Sequence, residues 1–168
     1  MHEPDVTRVP REAVFDTYTA YRAHLLDSVR HAEHSLLIFD HDLAQTGLED
    51  AEGVEALDAL ARAAAGEERI RILVRTPEHI ERHCPRLLRL VERFGPRIRI
   101  KVVGEGVALP DACFAVADSQ GLVIRFHRDR PRGKRIDGAN PETARYAAQF
   151  ETIWVCAKNG PTGAPLGI

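Results

Sequence analysis

Positive charge is concentrated in one short segment of this chain, His127–Arg135, in which five of the nine residues are Lys or Arg. Arg128, Arg130 and Arg132 alternate within it, so in an extended backbone their side chains would share one face. A guanidinium group can donate two parallel hydrogen bonds to a phosphate. The segment therefore predicts contact with a small phosphate ligand or a nucleic-acid backbone. A solvated loop paired with acidic residues is an equal alternative.

A second set of reactive side chains, Asp40-His41-Asp42, directly follows the apolar run Leu36–Phe39. Functional groups collect beyond the carboxyl ends of strands in α/β sheets. His41 is therefore a candidate acid or base, and Asp40 a candidate binding residue. The alternative is a polar exit from the strand, in which the aspartates only cap the loop.

Neither a metal site nor a phosphate-binding glycine loop is predicted. His79 and His83 have the i, i+4 spacing of a helical metal site, but Ile80 stands where metalloproteases have glutamate. Arginines close in sequence also disfavour a cation there. The loop Gly104–Gly106 has an acidic residue at its centre, which suits a phosphate poorly. We therefore expect no metal and no cofactor.

The segment Asp111–Asp118 has the spacing of a known catalytic motif without its reactive residues. It reads Asp-Ala-Cys-Phe-Ala-Val-Ala-Asp and resembles the H-x-K-x4-D signature of the phospholipase D superfamily. Asp118 matches the final aspartate, whereas Asp111 stands at the histidine position and Cys113 at the lysine position. The small-residue step that follows in the family falls near Arg125 and is absent.

The resemblance implies the family's fold without the family's chemistry. In active members the histidine attacks phosphorus and the lysine stabilises the phosphoryl charge. Asp111 would place a carboxylate against an anionic phosphate, and Cys113 carries no fixed positive charge. The implied role is a non-catalytic binding or scaffolding domain with a remnant anion pocket, in which Asp111 and Asp118 are site residues. The alternative is a phosphodiesterase or nuclease that uses His41 or His127.

Family members with one motif per chain pair two copies across the active-site face. A homodimer is therefore what the resemblance implies for this chain. The other expected partner is an anionic ligand or a nucleic-acid backbone.

Apolar spacing along the chain predicts alternating helices and strands. In chain order, these elements are a helix from Thr7 to Ala32, a strand over Leu36–Phe39, a helix over Asp50–Ala65, a strand over Arg69–Val74, a helix from Thr76 broken at Pro85, a strand over Arg97–Val102 with one solvated face, a hairpin of Cys113–Ala117 and Leu122–Phe126, and a helix from Asn140 to Trp154. Thr76 is predicted to be an N-cap, and Gly121 to supply positive φ in the hairpin turn. The order predicts an α/β fold, a single-domain mixed-sheet sandwich, which the resemblance makes phospholipase D-like.

Bulk composition indicates an ordinary globular protein. The 168 residues suffice for one domain, predicted over residues 1–157, with a flexible Gly- and Pro-rich tail over residues 158–168. The net charge of −2 does not mark the whole chain as a nucleic-acid binder. Three widely spaced cysteines favour reduced thiols in a cytoplasm, and the polar N-terminus shows no signal peptide. No apolar run approaches the roughly 20 residues that cross a bilayer.

Overall fold

The fold is an eight-stranded mixed sheet with helices on both faces. The computed structural model describes residues 9–63 and 66–162. Its elements are β1 (Arg11–Phe15), α1 (Tyr18–His31), β2 (Leu36–Asp40), α2 (Ala51–Ala63), β3 (Ile70–Val74), α3 (Glu78–His83), α4 (Pro85–Phe94), β4 (Ile98–Val102), β5 (Cys113–Ala117), β6 (Gly121–Arg125), β7 (Gly133–Asp137), α5 (Pro141–Cys156) and β8 (Lys158–Asn159). The strands lie in the order β1-β7-β6-β5-β2-β3-β4-β8. The predicted mixed α/β fold is confirmed.

The sheet has a parallel half and an antiparallel half that meet at β2. Strands β2, β3 and β4 run parallel, whereas β5, β6, β7 and β1 are each antiparallel to their neighbours. All five residues of β2 are buried. Leu36 and Ile38 belong to one hydrophobic core, and Leu37 and Phe39 to the other. This alternation is expected of a central strand covered on both faces.

Helices α1 to α4 cover one face of the sheet and α5 covers the other. The first core takes buried residues from α1, α2, α3 and α4, whereas Phe150, Ile153 and Trp154 of α5 build the second. The Thr17 hydroxyl caps α1 by accepting a hydrogen bond from the Ala20 amide (3.1 Å). None of the described helices is long and apolar enough to cross a membrane.

The first described element is a strand, where the sequence predicted the beginning of a helix. Thr7 lies outside the described residues, and Arg11–Phe15 pairs with β7 along its whole length. Helix α1 begins only at Tyr18. Val14, which the helical pattern placed on the buried stripe, is 79% exposed. Pairing with a strand more than one hundred residues away overrides the local apolar spacing.

The β5–β6 hairpin is confirmed, but its turn differs from the prediction. The residues with positive φ are Asp118 and Ser119, at 53° and 63°, and Gly121 is the first residue of β6. The Gln120 amide donates to the Ala117 carbonyl across the turn (3.1 Å). Two successive positive φ values match the twist of the flanking strands, which explains why the turn needs two residues in this conformation.

Three smaller predictions also need correction. Pro77 is the N-cap residue of α3, and no side chain caps that helix, so Thr76 does not. Lys158–Asn159 pairs with β4 as β8, so regular structure continues past the predicted end of the domain. Arg99 and Lys101 of β4 are half-buried, so the face predicted to be solvated is partly covered, at Lys101 by α5. The Lys101 ammonium lies 4.5 Å from the centroid of the Trp154 ring.

Candidate functional site

Polar side chains converge at one edge of the sheet, beyond the carboxyl end of β2. Because β5 runs antiparallel to β2, the beginning of β5 lies beside the end of β2. The hairpin then brings Arg125, the last residue of β6, opposite Cys113, the first residue of β5. The topology therefore gathers Asp40, His41 and Asp111, which the sequence singled out in separate segments. Arg128 joins them, because its amide donates to the Asp111 carbonyl (3.0 Å).

A buried ion pair between Asp40 and Arg125 forms the base of this edge. The Arg125 Nη2 lies 2.9 Å from Asp40 Oδ2, and the two side chains are 1% and 2% exposed. The other oxygen of Asp40 accepts hydrogen bonds from the Leu43 amide (3.0 Å) and the Asp42 amide (3.2 Å). Two buried charges are tolerated only when each is paired and hydrogen-bonded, as here. Asp40 is therefore engaged inside the protein.

Tyr21 of α1 covers the same ion pair. The Arg125 Cζ lies 4.8 Å from the centroid of the Tyr21 ring, a distance typical of a cation–π contact. Burial raises the pKa of the Tyr21 phenol, and the nearby Asp40 carboxylate raises it further. The phenol therefore stays protonated and can donate a hydrogen bond, but it cannot act as a base near neutral pH.

Cys113, which the resemblance places at the lysine position of the phospholipase D signature, has a buried side chain. Burial, with the Asp40 carboxylate adding to the effect, raises the pKa of the Cys113 thiol to about 12. The thiol is therefore neutral and a poor nucleophile. The permanent positive charge beside it belongs to Arg125, its cross-strand partner. In the sequence, Arg125 could have been noticed as the single charged residue that ends the apolar run of β6, near the position where the resemblance expects a small residue.

Two clefts open side by side above this base, and both are bordered by His41 and Arg128. The arginine cleft, of about 150 Å³, is lined by Phe39, His41, Arg75, Leu109, Pro110, Asp111, Cys113 and Arg128. The tyrosine cleft, of about 260 Å³, is lined by Tyr18, Asp40, His41, Asp42, Ala44, Gln45, Arg125, Arg128 and Asp129. Arg128 Nη1 lies 3.4 Å from His41 Nδ1. Because both residues line both clefts, this contact lies between the arginine cleft and the tyrosine cleft.

Arg75 is a member of the arginine cleft that the sequence did not indicate. It follows the end of β3, beside β2 in the parallel half of the sheet. Its guanidinium donates to the carbonyl oxygens of Gly104 (3.2 Å) and Val107 (3.5 Å) in the loop after β4. These contacts hold the group in place but supply no negative charge. The rule that strand ends collect functional groups, applied to β3 as well as to β2, would have found it.

Asp118 lies at the opposite end of β5 from the clefts. Its carboxylate accepts hydrogen bonds from the backbone amides of Glu33 (2.9 Å), His34 (2.8 Å) and Ser35 (3.0 Å). Burial alone would raise the pKa of Asp118, but these three amides outweigh it, and the pKa is lowered. Seven residues of strand span roughly 20 Å, so Asp118 is not brought to the other predicted site residues. It fastens the loop between α1 and β2.

The basic segment contributes one side chain to the clefts and uses two others structurally. Lys134 bonds to Glu142 (2.8 Å), and Arg135 bonds to Asp27 (2.6 Å) from within β7. His127, Arg130 and Arg132 are exposed in the loop between β6 and β7 and are not among the residues that line either cleft. The Arg130 amide donates to the His127 carbonyl (3.1 Å), so the segment turns and is not the extended strand that would align its arginines.

Acidic and imidazole groups do not assemble into a metal site in the described residues. No group of three or more His, Cys, Asp or Glu side chains within residues 9–63 and 66–162 is placed to hold an ion. His79 and His83 do lie side by side on α3, with ring centroids 5.1 Å apart, but no third ligand joins them there. What the edge of the sheet offers is guanidinium, imidazole and carboxylate groups around two small clefts.

The family model described as "Domain of unknown function (DUF7931)" matches residues 17–162, and the chain belongs to that family. The match includes every element from α1 onward. No curated protein sequence matches the chain.

Similar solved structures confirm the phospholipase D-like fold. Nuc from Salmonella typhimurium, a phospholipase D family member, is 12% identical with a TM-score of 0.63, over 90% of this chain and 98% of that one. NucT from Helicobacter pylori is 10% identical with a TM-score of 0.60, over 90% and 99%. TrmBL2, an archaeal chromatin protein with a novel mode of DNA binding, is 16% identical with a TM-score of 0.63. That match covers 92% of this chain but 56% of the archaeal protein.

Proposed function

We propose that this domain binds an anionic group in the arginine cleft and does not carry out the phosphodiester chemistry of active phospholipase D-like enzymes. The observation that carries the proposal is the meeting of Arg75, Arg128 and His41 around one cleft of about 150 Å³. Two guanidinium groups on separate chain segments can clamp one phosphate or carboxylate from two sides. Phe39 and Leu109 supply apolar walls that strengthen such contacts by excluding water.

The absence of catalysis is proposed from the side chains that stand at the motif positions. Asp111 carries a carboxylate, which would repel a phosphate that it had to attack. Cys113 is neutral, with a pKa raised to about 12 by burial. Neither residue supplies the nucleophile or the positive charge that the family's mechanism requires.

The size and charge of the cleft favour one anionic group on a small ligand. Pockets for drug-sized molecules are roughly 300–1,000 Å³, which is well above the arginine cleft. A long nucleic-acid backbone would draw on more cations than the cleft holds. Arg130 and Arg132 are exposed in the same loop, but Lys134 and Arg135 are already paired with carboxylates. Similarity to a DNA-binding chromatin protein supports a nucleic acid as one source of the anion. A steep fall of affinity with salt would identify that source.

Titration with inorganic phosphate tests the proposal most directly. Chemical shifts of backbone amides near His41 and Arg128 should move and saturate at one site per chain. Arg128→Ala should weaken binding by about tenfold, because a charge-assisted hydrogen bond is lost. Arg132→Ala is the matched control, since it removes an exposed arginine of the same loop that lines neither cleft. Equal affinity of both variants and the parent would contradict the proposed site.

A phosphodiesterase that uses His41 is the second candidate function. The observation in its favour is that His41 borders the arginine cleft and touches Arg128. Turnover of bis-p-nitrophenyl phosphate that is abolished by His41→Ala but kept by His127→Ala would establish this candidate. Exposed and outside both clefts, His127 is a weaker nucleophile candidate.

We also propose a homodimer, which the family resemblance implies, and a cytoplasmic location, which the cysteine pattern favours. Arg130 and Arg132 are exposed beside the clefts, so pairing of this face would bring further positive charge from a second copy. Sedimentation at tens of micromolar protein would detect such a dimer, and a monomer at every concentration would exclude it. The cysteines of the described residues are all free, as a reducing compartment requires.

A further inference from the structure

Arg75 and Asp111 line the arginine cleft as charges of opposite sign, and neither has an ion-pair partner in the described part of the chain. Arg75 is hydrogen-bonded only to carbonyl oxygens there. Arg128 has one distant carboxylate neighbour, Asp129, at 3.8 Å. On the same cleft, the carboxylate of Asp111 makes no ion pair with any residue in 9–63 or 66–162, and the contact of Asp111 with Arg128 is made by its backbone.

Some other charged groups at the ends of the strands are paired inside the protein. Arg125 is matched by Asp40, Lys134 by Glu142 and Arg135 by Asp27. Asp118, the other end of the same motif segment, has its carboxylate saturated by three amides. The unmatched groups of opposite sign are thus brought together in one small cleft. They do not neutralise each other directly, which leaves space between them for a ligand.

We infer that the arginine cleft takes a small zwitterion, with its phosphonate, phosphate or carboxylate group toward Arg75 and Arg128 and its ammonium group toward Asp111. The inference rests on the proposed anion site and adds the second charge of the ligand. A simple anion would leave Asp111 unpaired and would be repelled by it. A zwitterion satisfies both signs at once. Leu109 and Pro110 are apolar lining residues suited to a short aliphatic link between the two charges.

Two matched pairs of probes separate the ammonium contact from the anion contact. One pair is 2-aminoethylphosphonate and ethylphosphonate, and the other is β-alanine and propionate. Within each pair the molecules differ only in the ammonium group, and the phosphonates cannot be hydrolysed by a phosphodiesterase. Comparison of the pairs then shows whether the anion is a phosphorus oxyanion or a carboxylate.

The zwitterion of at least one pair should bind about threefold to fivefold more tightly than its partner in a nuclear magnetic resonance titration. The factor is modest because a partly exposed ion pair contributes little. Asp111→Asn should abolish the preference while keeping or improving the affinity for ethylphosphonate. Glu105→Gln is the matched control, because it removes an exposed carboxylate of the loop after β4 that lines neither cleft. It should leave the preference unchanged.

The possible outcomes show separately whether the zwitterion inference fails and whether the proposed anion site fails. If ethylphosphonate and propionate both bind as well as their zwitterionic partners, the ammonium contact is wrong and the anion site stands. If the preference survives Asp111→Asn, the ammonium group is held elsewhere and the inference is overturned. If no anion binds and Arg128→Ala changes nothing, both the anion site and the zwitterion are wrong. If the preference is lost in Asp111→Asn but kept in the control variant, the result supports both the anion site and the zwitterion.

Discussion

The two aspartates that bracket β5 belong to one motif-like segment, but their surroundings are opposite. Asp118 follows the strand and gives its carboxylate to three backbone amides of the loop between α1 and β2. Asp111 precedes the strand, is exposed and has no ion-pair partner among the described residues. The comparison shows that a residue kept at a motif position can be structural, whereas the residue that departs from the motif borders the candidate site.

The same contrast separates two arginines that are three residues apart. Arg125 is 1% exposed and paired with Asp40, whereas the side chain of Arg128 is 53% exposed and touches His41 across the mouths of two clefts. Charged groups that are paired inside the protein, such as Arg125 and Asp118, should matter for folding. Charged groups that are left open at a cleft, such as Arg128 and Asp111, should matter for binding. Substitutions at the two kinds of position test this division.

The largest expected effect is the loss of the buried ion pair. Asp40→Asn leaves the Arg125 guanidinium buried without a counterion and should lower the free energy of unfolding by about 3–5 kcal/mol, measured by urea denaturation. Asn keeps an oxygen for the Leu43 amide, so the loss reports on the charge. The double variant Asp40→Asn with Arg125→Met should recover most of it. A single variant as stable as the parent would show that the pair is not structural.

A smaller loss is expected when the capping carboxylate is removed. Asp118→Ala leaves three amides without their acceptor and places alanine at a φ of 53°. Water can reach these amides in the variant, so the free energy of unfolding should fall by about 0.5–2 kcal/mol, as when another capping side chain is removed. Asp118→Asn keeps one acceptor and tolerates positive φ, and its stability should lie between those of the alanine variant and the parent. Anion affinity should be unchanged in both variants.

The contribution of Asp118 should also depend on pH. Because its pKa is lower in the folded chain than the ordinary value of 3.8, folding favours the ionised carboxylate. The stabilisation is therefore fully present above the unfolded pKa and is lost as pH falls through the folded pKa. The stability difference between the parent and Asp118→Asn, roughly 1 kcal/mol near neutral pH, should narrow below about pH 4. A difference that stays constant down to pH 2 would show that the carboxylate charge is unimportant.

The smallest effect on folding is expected at Asp111. Asp111→Asn removes an exposed carboxylate without a described partner and should change the free energy of unfolding by less than about 0.5 kcal/mol. Thermal unfolding of parent and variant at neutral pH measures this. A loss above 1 kcal/mol (about the level of a buried hydrogen bond) would place Asp111 with Asp118 among the structural residues and erase the contrast.

Predictions that rest on local patterns agree with the structure. The apolar run at Leu36 forms the central strand, the hairpin turns at Asp118, and Pro85 begins a new helix. Each depends on residues within a few positions of one another. The first helix was predicted to begin eleven residues too early, because Arg11–Phe15 is held by β7, which the sequence assigned to a loop. Such pairing leaves no local signal.

The residues of the candidate site also divide into those that local sequence patterns predicted and those that depend on distant strand pairing. His41, Asp111 and Arg128 were predicted from their own segments, and the structure brings them to one edge of the sheet. Arg75 was missed because only the parallel pairing of β2 and β3 brings it there. Arg130 and Arg132 were expected beside Arg128, but the turn in their loop leaves them outside both clefts.

The sequence by itself determined the residue types and the order of elements, including the aspartate and cysteine at positions where the phospholipase D signature has histidine and lysine. It also determined the hairpin, because turn and strand preferences act over neighbouring residues. Only the tertiary structure decided which charged groups have an ion-pair or hydrogen-bond partner inside the protein. Whether a guanidinium is buried against a carboxylate, as at Arg125, or left open at a cleft, as at Arg75, depends on strand order and on contacts across the fold. Solvation and ion pairing are set by all neighbours in space, and few of those neighbours are close in sequence.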